Sequence, residues 1–293
     1  MELFVQQIIT GISIGGIYAL LAVGYALIYS VFDFSNFAFG CVMMVSAFTC
    51  YYTTKAGLGL AVSLILSLGA GVILSTIIEM VAYRPLRRRG TDRLFLMITG
   101  MGVDLAVTNT ATVLLGANAR SIEIREFNMD AIQIGSVYLS KLDIVALAVS
   151  LTTLLLLYLY ISKTKVGLGI RASAYSTSTA GLMGINVNRV SLSIFIIAGI
   201  TAGIAGVFCG MKYAVNPTVG SIPATKAFIA SVIGGLGSLP GAVVGGLLLG
   251  IIETLASGFI SSVYRDLFSY GILIFVLLFV PRGLLGKQAS EKI

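Results

Sequence analysis

Apolar stretches long enough to cross a lipid bilayer recur along this chain, and they restrict it to one broad class of fold. A helix needs about 20 apolar residues to span the hydrocarbon core. Charged residues make up only 11% of the 293 residues, against roughly 25% in soluble domains. The sequence therefore predicts an all-α polytopic membrane protein with a single transmembrane domain over residues 1–293. The predicted membrane segments lie near residues 5–30, 38–53, 58–81, 94–115, 142–161, 190–212, 222–234, 240–257 and 263–280.

Two features of these segments refine the prediction. Glu2 is the only charge before residue 33, so the first segment is predicted to be a span and not a removed signal peptide. The pieces 222–234 and 240–257 are short, and we interpret them as half-helices or a shallow hairpin. The expected total is about eight or nine membrane helices and half-helices.

The charges between the segments predict an orientation. Residues 83–93 hold five arginines and one acid, and residues 162–189 hold four bases and no acid. The tail after Pro281 is also basic, through Arg282, Lys287 and Lys292, whereas residues 116–141 are neutral. Because cytoplasmic loops carry the excess of Lys and Arg, the N-terminus is predicted outside and the C-terminus in the cytoplasm.

A weak internal repeat links two distant parts of the chain. "NFAFGCVMMVSAF" (36–48) and "NPTVGSIPATKAF" (216–228) share the pattern N-x3-G-x6-A-F. The spans that precede the two copies run in opposite directions in the predicted topology. Inverted repeats of this kind occur in transporters, where broken helices meet near the bilayer midplane at the substrate site. We predict pseudo-repeats over roughly residues 1–116 and 142–281.

The first copy follows a polar interruption, "VFDFSNFAFG" (31–40), which contains Asp33, Ser35 and Asn36. Irregular polar backbone within a membrane survives only where protein or a water-filled cavity covers it. One interpretation is that these residues line a translocation pathway. The other is that they cap the second helix at the cytoplasmic surface. Both interpretations can hold for Asn36.

Several stretches resemble a known family. "GISIGGIYALLAVGYALIYSVFDFSNFAFG" is similar to the opening of permease subunits of branched-chain amino acid ABC importers of the Liv type, and "AYRPLRRR" (82–89) to their first cytoplasmic loop. "NPTVGSIPATKAFIASVIGGLGSLPGAVVGGLLLGIIE" (216–253) and "PRGLLG" (281–286) resemble later parts of these proteins. The resemblance covers nearly the whole chain, and its most specific part is the glycine-rich run 234–242.

The resemblance implies a subunit that provides the translocation path for branched-chain or other apolar amino acids across the bacterial plasma membrane. Its implied partners are a second homologous permease, identical or different, two cytoplasmic ATPase subunits, an extracytoplasmic substrate-binding protein and membrane lipid, with no nucleic acid. No cofactor is expected on this chain, and ATP is expected on the ATPase subunits. The sequence contains no G-x4-G-K-[ST] phosphate-binding loop, so the chain is not expected to hydrolyse ATP or to act as an enzyme.

The repeat and the resemblance together indicate candidate residues for the translocation pathway and for coupling to the ATPase. Loop 162–189 is implied to contain the helix that couples to the ATPase, with Ala172, Ala174 and Ala180 allowing close docking. The alternative for this loop is a solvated basic segment that holds anionic lipid head groups. The predicted pathway residues are Asn36, Phe39, Gly40, Met43, Asn216, Pro217 and Gly220. The predicted coupling residues are Arg171, Ala174, Ser176, Ala180, Gly184 and Ile185.

The chain departs from the family pattern at two places. Phe39 stands where the family motif has His, which makes the presumed path more apolar. In the coupling loop, the hydroxyl residues of 176–179 replace acidic residues of the family, while the spacing of Ala174, Ala180 and Gly184 is kept.

Polar residues within the predicted spans form a further group of candidates. Asp104 lies mid-span, and its predicted partners are Thr108 and Asn109 or a neighbouring helix; an intramembrane acid is costly and often functional. Lys226 and Glu253 are predicted to form a neutralising pair. No metal site is predicted, because histidine is absent and the three cysteines lack ligand spacing.

Two other function classes are compatible with part of the pattern. An ion-coupled secondary transporter of a small metabolite would use Asp33, Asp104 and Glu253 as a carboxylate relay. The third class is a passive channel. The coupling-loop pattern favours the ABC importer, because neither alternative needs a helix that docks on an ATPase.

Overall fold

The described part of the chain consists mainly of packed helices. The structure, a computed structural model, describes residues 2–122, 131–134 and 137–286; Lys287 and Lys292 of the predicted basic tail lie outside this range. The helices are α1 (Glu2–Phe32), α2 (Phe39–Lys55), α3 (Leu60–Ile78), α4 (Arg84–Arg88), α5 (Arg93–Leu115), α6 (Lys141–Lys163), α7 (Lys165–Tyr175), α8 (Thr177–Leu182), α9 (Val187–Tyr213), α10 (Ser221–Gly234), α11 (Leu239–Phe259) and α12 (Arg265–Phe279). A π-helical turn, Glu79–Tyr83, joins α3 to α4, and a 3₁₀ turn, Ser262–Tyr264, precedes α12.

In the described part of the chain, seven helical segments are long and apolar enough to cross a membrane. They contain α1, α3, α5, α6, α9, α11 and α12, which confirms the prediction of a helical multi-pass membrane protein. The prediction for 240–257 was wrong in one respect, because α11 has 21 residues and is a full-length span. The sequence also gave no sign of a small antiparallel strand pair, Ala131–Ile134 with Val137–Ser140, before α6.

Two helices that face the interior are shorter than a full span. α2 has 17 residues and α10 has 14, so α10 is only about 21 Å long, against about 30 Å for the hydrocarbon core. α10 therefore has the length of a half-helix, as predicted for residues 222–234. Both helices follow short turns that return the chain into the molecule after a long span.

The long helix α1 forms the centre of the molecule and packs antiparallel against α11. Glycines make this contact close: a Cβ added to Gly15 would lie 2.9 Å from the Cα of Leu247, and one added to Gly246 would lie 2.5 Å from the Cα of Ala19. Small residues of this kind let helix backbones approach each other in lipid, where no hydrophobic force drives helices together.

α9 packs antiparallel against α3 in a similar way. A Cβ added to Gly199 would lie 2.8 Å from the Cα of Val72 and 2.9 Å from the carbonyl oxygen of Gly71. One turn further along α3, the Ser75 hydroxyl donates a hydrogen bond to the Phe195 carbonyl at 2.7 Å. The contact between α1 and α11 thus has a counterpart between α9 and α3.

Leu284 and Leu285, after α12, are fixed against the end of α10. The Leu284 amide donates to the Ile233 carbonyl at 2.8 Å, and the Leu285 amide donates to the Gly234 carbonyl at 2.9 Å. α5 and α12 lie on the outside and expose apolar side chains, such as Leu105 and Leu278, as expected for surfaces in contact with lipid or another membrane subunit.

Candidate functional site

The two copies of the repeated motif form matching turns before α2 and α10. Asn36 Oδ1 accepts a hydrogen bond from the Ala38 amide at 2.9 Å, and Asn216 Oδ1 accepts one from the Thr218 amide at 3.0 Å. Each asparagine thus closes a turn with the residue two positions ahead. Asn36 also accepts a hydrogen bond from the Tyr83 hydroxyl at 2.6 Å. Asn36 therefore closes the turn before α2, whereas the N-cap residue of α2 is Ala38 and makes no side-chain cap hydrogen bond, so the capping prediction for Asn36 was wrong.

The N-terminal ends of α2 and α10 meet through two glycines. A Cβ added to Gly220 would clash with the carbonyl oxygen of Gly40 and lie 2.9 Å from its Cα. The backbones can therefore approach this closely only because position 220 has no side chain. The equivalent positions of the two motif copies are in direct contact, and we call this place the α2–α10 junction.

The carboxylate of Asp104 lies beside this junction. Its Oδ1 accepts a hydrogen bond from the Cys41 amide in the first turn of α2 at 2.6 Å. The prediction of a partner on a neighbouring helix was correct, but Thr108 and Asn109 are not that partner. The Asn109 amide instead donates to the Leu105 carbonyl. Asp104 thus satisfies a backbone donor that the start of a helix leaves unpaired, and its negative charge suits that end of the helix dipole.

A cavity of about 180 Å³ opens at the α2–α10 junction. The sequence analysis did not predict most of the residues that line it. The spacing of Ser221 and Thr225, one turn apart on α10, could have indicated a polar helix face there. Gly40 and Asp104 are the predicted residues that line it. The lining residues are Tyr25, Phe37, Gly40, Met101, Asp104, Ser221, Ala224 and Thr225.

Three predicted pathway side chains do not line the cavity. Phe39 is buried and stacks on Tyr25 with 4.4 Å between the ring centroids. Met43 is buried where α2 packs against Gly206 of α9. Pro217 is also buried, in the turn before α10. A pathway role for these three residues stays a prediction, and it requires the packed interior to open.

A buried ionic network connects α10, α11 and α12. The predicted pair of Lys226 and Glu253 is confirmed, and the Glu253 side chain is fully buried. Lys226 also contacts Asp266 at 2.9 Å, Arg265 pairs with Glu253, and the Tyr18 hydroxyl donates to Glu253 at 3.4 Å. Sequence reasoning missed Arg265 and Asp266, because only the fold of α12 brings them back to Glu253.

Glu253→Gln is expected to lower the free energy of unfolding by about 3–5 kcal/mol, because it leaves the buried Lys226 and the partly buried Arg265 without their shared anion. Thermal unfolding of the purified protein in detergent measures this effect. Asp33→Asn is the matched control, since Asp33 pairs at 3.0 Å with Arg93, whose side chain is 66% exposed. An exposed pair contributes about 0–1 kcal/mol. Equal losses in the two variants would contradict a structural role for the network.

The three acids of the proposed carboxylate relay have three separate partners. Asp33 pairs with Arg93, Asp104 accepts from the Cys41 amide, and Glu253 pairs with Lys226. Each acid has its own local partner, a cation for Asp33 and Glu253 and a backbone amide for Asp104, so the arrangement does not form a chain of acids along which a proton could pass. The relay hypothesis gains no support from these positions.

The basic loop 162–189 contains two short helices with well-formed ends. The Ser176 hydroxyl caps α8 by accepting a hydrogen bond from the Thr179 amide at 3.2 Å. At the other end, Gly184 has a φ of 82°, and the Ile185 amide donates to the Ala180 carbonyl at 3.0 Å. These are the features of a Schellman C-cap, in which glycine adopts the left-handed conformation at low cost. Four of the predicted coupling residues thus define the ends of α8.

The orientation of α8 corrects one detail of the sequence-based expectation. Ala180 is 4% exposed and faces this chain, so its small side chain serves internal packing and not an external contact. The residues that project outward are Tyr175, Leu182 and Met183, which are 74%, 88% and 80% exposed. Arg171 is exposed on α7, whereas Ala174 is partly buried against the core. The basic loop thus exposes three large side chains that are mainly apolar.

Comparison with known proteins decides the family. The family model described as the permease component of branched-chain amino acid transport systems matches residues 7–277. The chain belongs to this family. The permease protein BraD of Pseudomonas aeruginosa is 34% identical over 99% of this chain and 98% of its own length. The permease protein LivH of Escherichia coli is 35% identical over the same shares. Both are described as parts of high-affinity branched-chain amino acid transport systems.

A solved structure supports the fold. PsaBC from Streptococcus pneumoniae in complex with Fab superposes with a TM-score of 0.53, over 96% of this chain and 93% of that chain. The identity is 13%, so the similarity concerns the fold alone. Membership of the permease family confirms the resemblance seen in the sequence. It makes this chain a multi-pass transport subunit and not an enzyme.

Proposed function

We propose that this chain is a permease subunit of an ABC importer and provides the path for branched-chain or other apolar amino acids. The α2–α10 junction carries the proposal. Two short helices begin there with their N-terminal ends in contact, beside a cavity with one carboxylate. Broken helices that meet within the membrane are typical of transport sites, since their ends offer unpaired backbone groups to a substrate. The full-length match to the permease family supports the same function.

The proposed topology has nine membrane segments arranged as an inverted repeat, over roughly residues 1–116 and 142–281. The N-terminus lies outside and the C-terminus in the cytoplasm. The matching contacts of α1 with α11 and of α9 with α3 support the repeat, as does the meeting of Gly40 with Gly220. The arginines of 83–93 and the bases of 162–189 support a cytoplasmic position for both loops.

We propose that partner subunits supply the energy for transport, in a complex that lies in the bacterial plasma membrane. One of two cytoplasmic ATPases docks on the exposed side chains of α8. A second permease closes the path at the α2–α10 junction, and a binding protein delivers the amino acid from outside. Each end of α8 is capped within this chain, which makes the helix a rigid element able to transmit motion. Anionic lipid can still contact the bases of loop 162–189 around this surface.

Uptake of labelled leucine into vesicles tests this function. With the complete set of subunits reconstituted, uptake is expected to require ATP on the ATPase side and to continue when a protonophore removes the pH gradient. Vesicles that contain only this chain are expected to show no uptake above empty vesicles. Uptake driven by a pH gradient in those vesicles would contradict the proposal and favour the ion-coupled alternative.

A further inference from the structure

The cavity at the α2–α10 junction has an asymmetric electrostatic character. Of the eight described residues that line it, Asp104 is the one with a formal charge. Phe37, Met101 and Ala224 supply apolar walls. Ser221 and Thr225 add hydroxyl groups at the start of α10. Because the lining holds a carboxylate and no cationic side chain, it attracts a positively charged group and repels an anion.

A tyrosine of the central helix α1 also lines this space. Tyr25 lines the cavity, and the residue is only 1% exposed. Its ring is fixed between Phe39 and Phe228, with centroid distances of 4.4 Å and 6.1 Å. Within the described part of the chain its hydroxyl makes no hydrogen bond. The hydroxyl is therefore available to accept a hydrogen bond from a bound donor, in a cavity that Asp104 also lines.

We propose that the cavity binds the α-ammonium group of the transported amino acid between the Asp104 carboxylate and the Tyr25 hydroxyl. An ammonium carries three donors, and both protein groups offer oxygen acceptors. The aliphatic side chain then lies against Phe37, Met101 and Ala224. The inference rests on the transport function proposed above and adds a recognition site within the membrane domain for the charged end of the substrate.

Asp104 also has a structural role, which the test must distinguish from binding of the ammonium group. Its Oδ1 accepts the Cys41 amide hydrogen bond at the start of α2. An asparagine in its place keeps an oxygen acceptor for that amide, but it removes the negative charge. Asp104→Asn therefore removes the proposed ammonium contact while the helix cap is preserved. Tyr25→Phe removes the hydroxyl alone and keeps the stacked ring.

The experiment measures protection of a cysteine in the cavity. The reporter is Thr225→Cys in the complete reconstituted complex, labelled with N-ethylmaleimide; the three native cysteines are buried. Leucine and isoamylamine, which both carry the ammonium, are expected to slow labelling. 4-Methylpentanoate, which has the carboxylate and no ammonium, is expected to leave labelling unchanged. Leu105→Cys, an exposed position on α5 outside the lining, is the control and is expected to show no protection by any compound.

Two variants then test which side chains contact the ammonium group. Asp104→Asn is expected to raise the half-protecting isoamylamine concentration by about tenfold or more, and Tyr25→Phe by about fivefold. Equal protection by 4-methylpentanoate, or unchanged protection in Asp104→Asn, would overturn the ammonium site and leave Asp104 as a helix cap. Leucine uptake in the same vesicles tests the proposed function separately. Protection by isoamylamine without any leucine uptake would support the site and contradict the transport function.

Discussion

Gly220→Leu is expected to lower leucine uptake at least about tenfold while the protein still inserts into the membrane. The contact of Gly220 with the Gly40 backbone leaves no room for a Cβ, so a larger side chain must push α10 away from α2. Overpacking of this kind costs about 1–3 kcal/mol, and about 1.4 kcal/mol corresponds to a tenfold change. The measurement is the initial rate of ATP-driven uptake in vesicles, normalised to the amount of complex.

Gly102 provides the matched control for the loss of uptake in Gly220→Leu. Gly102 lies on α5, and a Cβ added there meets nothing within 4 Å. Gly102→Leu is therefore expected to change uptake little. If Gly220→Leu transports at the wild-type rate, the close contact at the α2–α10 junction is not needed for the path, and the proposed site is wrong.

Leu182→Asp is expected to weaken binding of the ATPase subunit about thirtyfold or more. Leu182 is 88% exposed at the end of α8, next to the similarly exposed Met183. If this surface is the coupling contact, the substitution buries an unpaired carboxylate in it, and residues central to an interface commonly cost about 2 kcal/mol or more when changed. Co-purification and ATPase activity stimulated by the loaded binding protein measure the loss.

The control for this prediction keeps the apolar character. Leu182→Met has nearly the same volume and is expected to retain stimulated ATPase activity. Ala180→Trp is expected to disrupt this chain itself and not the contact with the ATPase. Ala180 is buried, so a large side chain there would displace α8 from the residues it packs against. Normal stimulated activity in Leu182→Asp would place the coupling contact elsewhere on the loop.

The sequence was most informative where local pattern and topology agreed. The motif N-x3-G-x6-A-F predicted that the regions around Gly40 and Gly220 correspond, and the structure brings these two glycines into contact. Apolar segment lengths located the spans because bilayer thickness is a strong constraint. The Lys226–Glu253 pair was predictable because two opposite charges in apolar segments have few other ways to be compensated.

The features that the sequence did not predict depend on tertiary packing. The partner of Asp104 is a backbone amide of α2, and such a contact leaves no trace in side-chain identity. Tyr25 enters the cavity from the central helix α1, whose uniformly apolar sequence hides which side chains face a space. The inward direction of Ala180 follows from how α8 packs, and small residues alone do not show which face they occupy.

In the proposed mechanism, the α2–α10 junction faces a path that opens to alternate sides of the membrane. Thr225→Cys tests it through labelling with a charged, membrane-impermeant thiol reagent. We expect labelling from one side in the nucleotide-free complex and from the other side after ATP and vanadate trap the ATPases. Ile73→Cys, exposed on α3, is expected to react only with a lipid-soluble reagent in both states. If Thr225→Cys behaves like Ile73→Cys, the junction faces lipid and the account is contradicted.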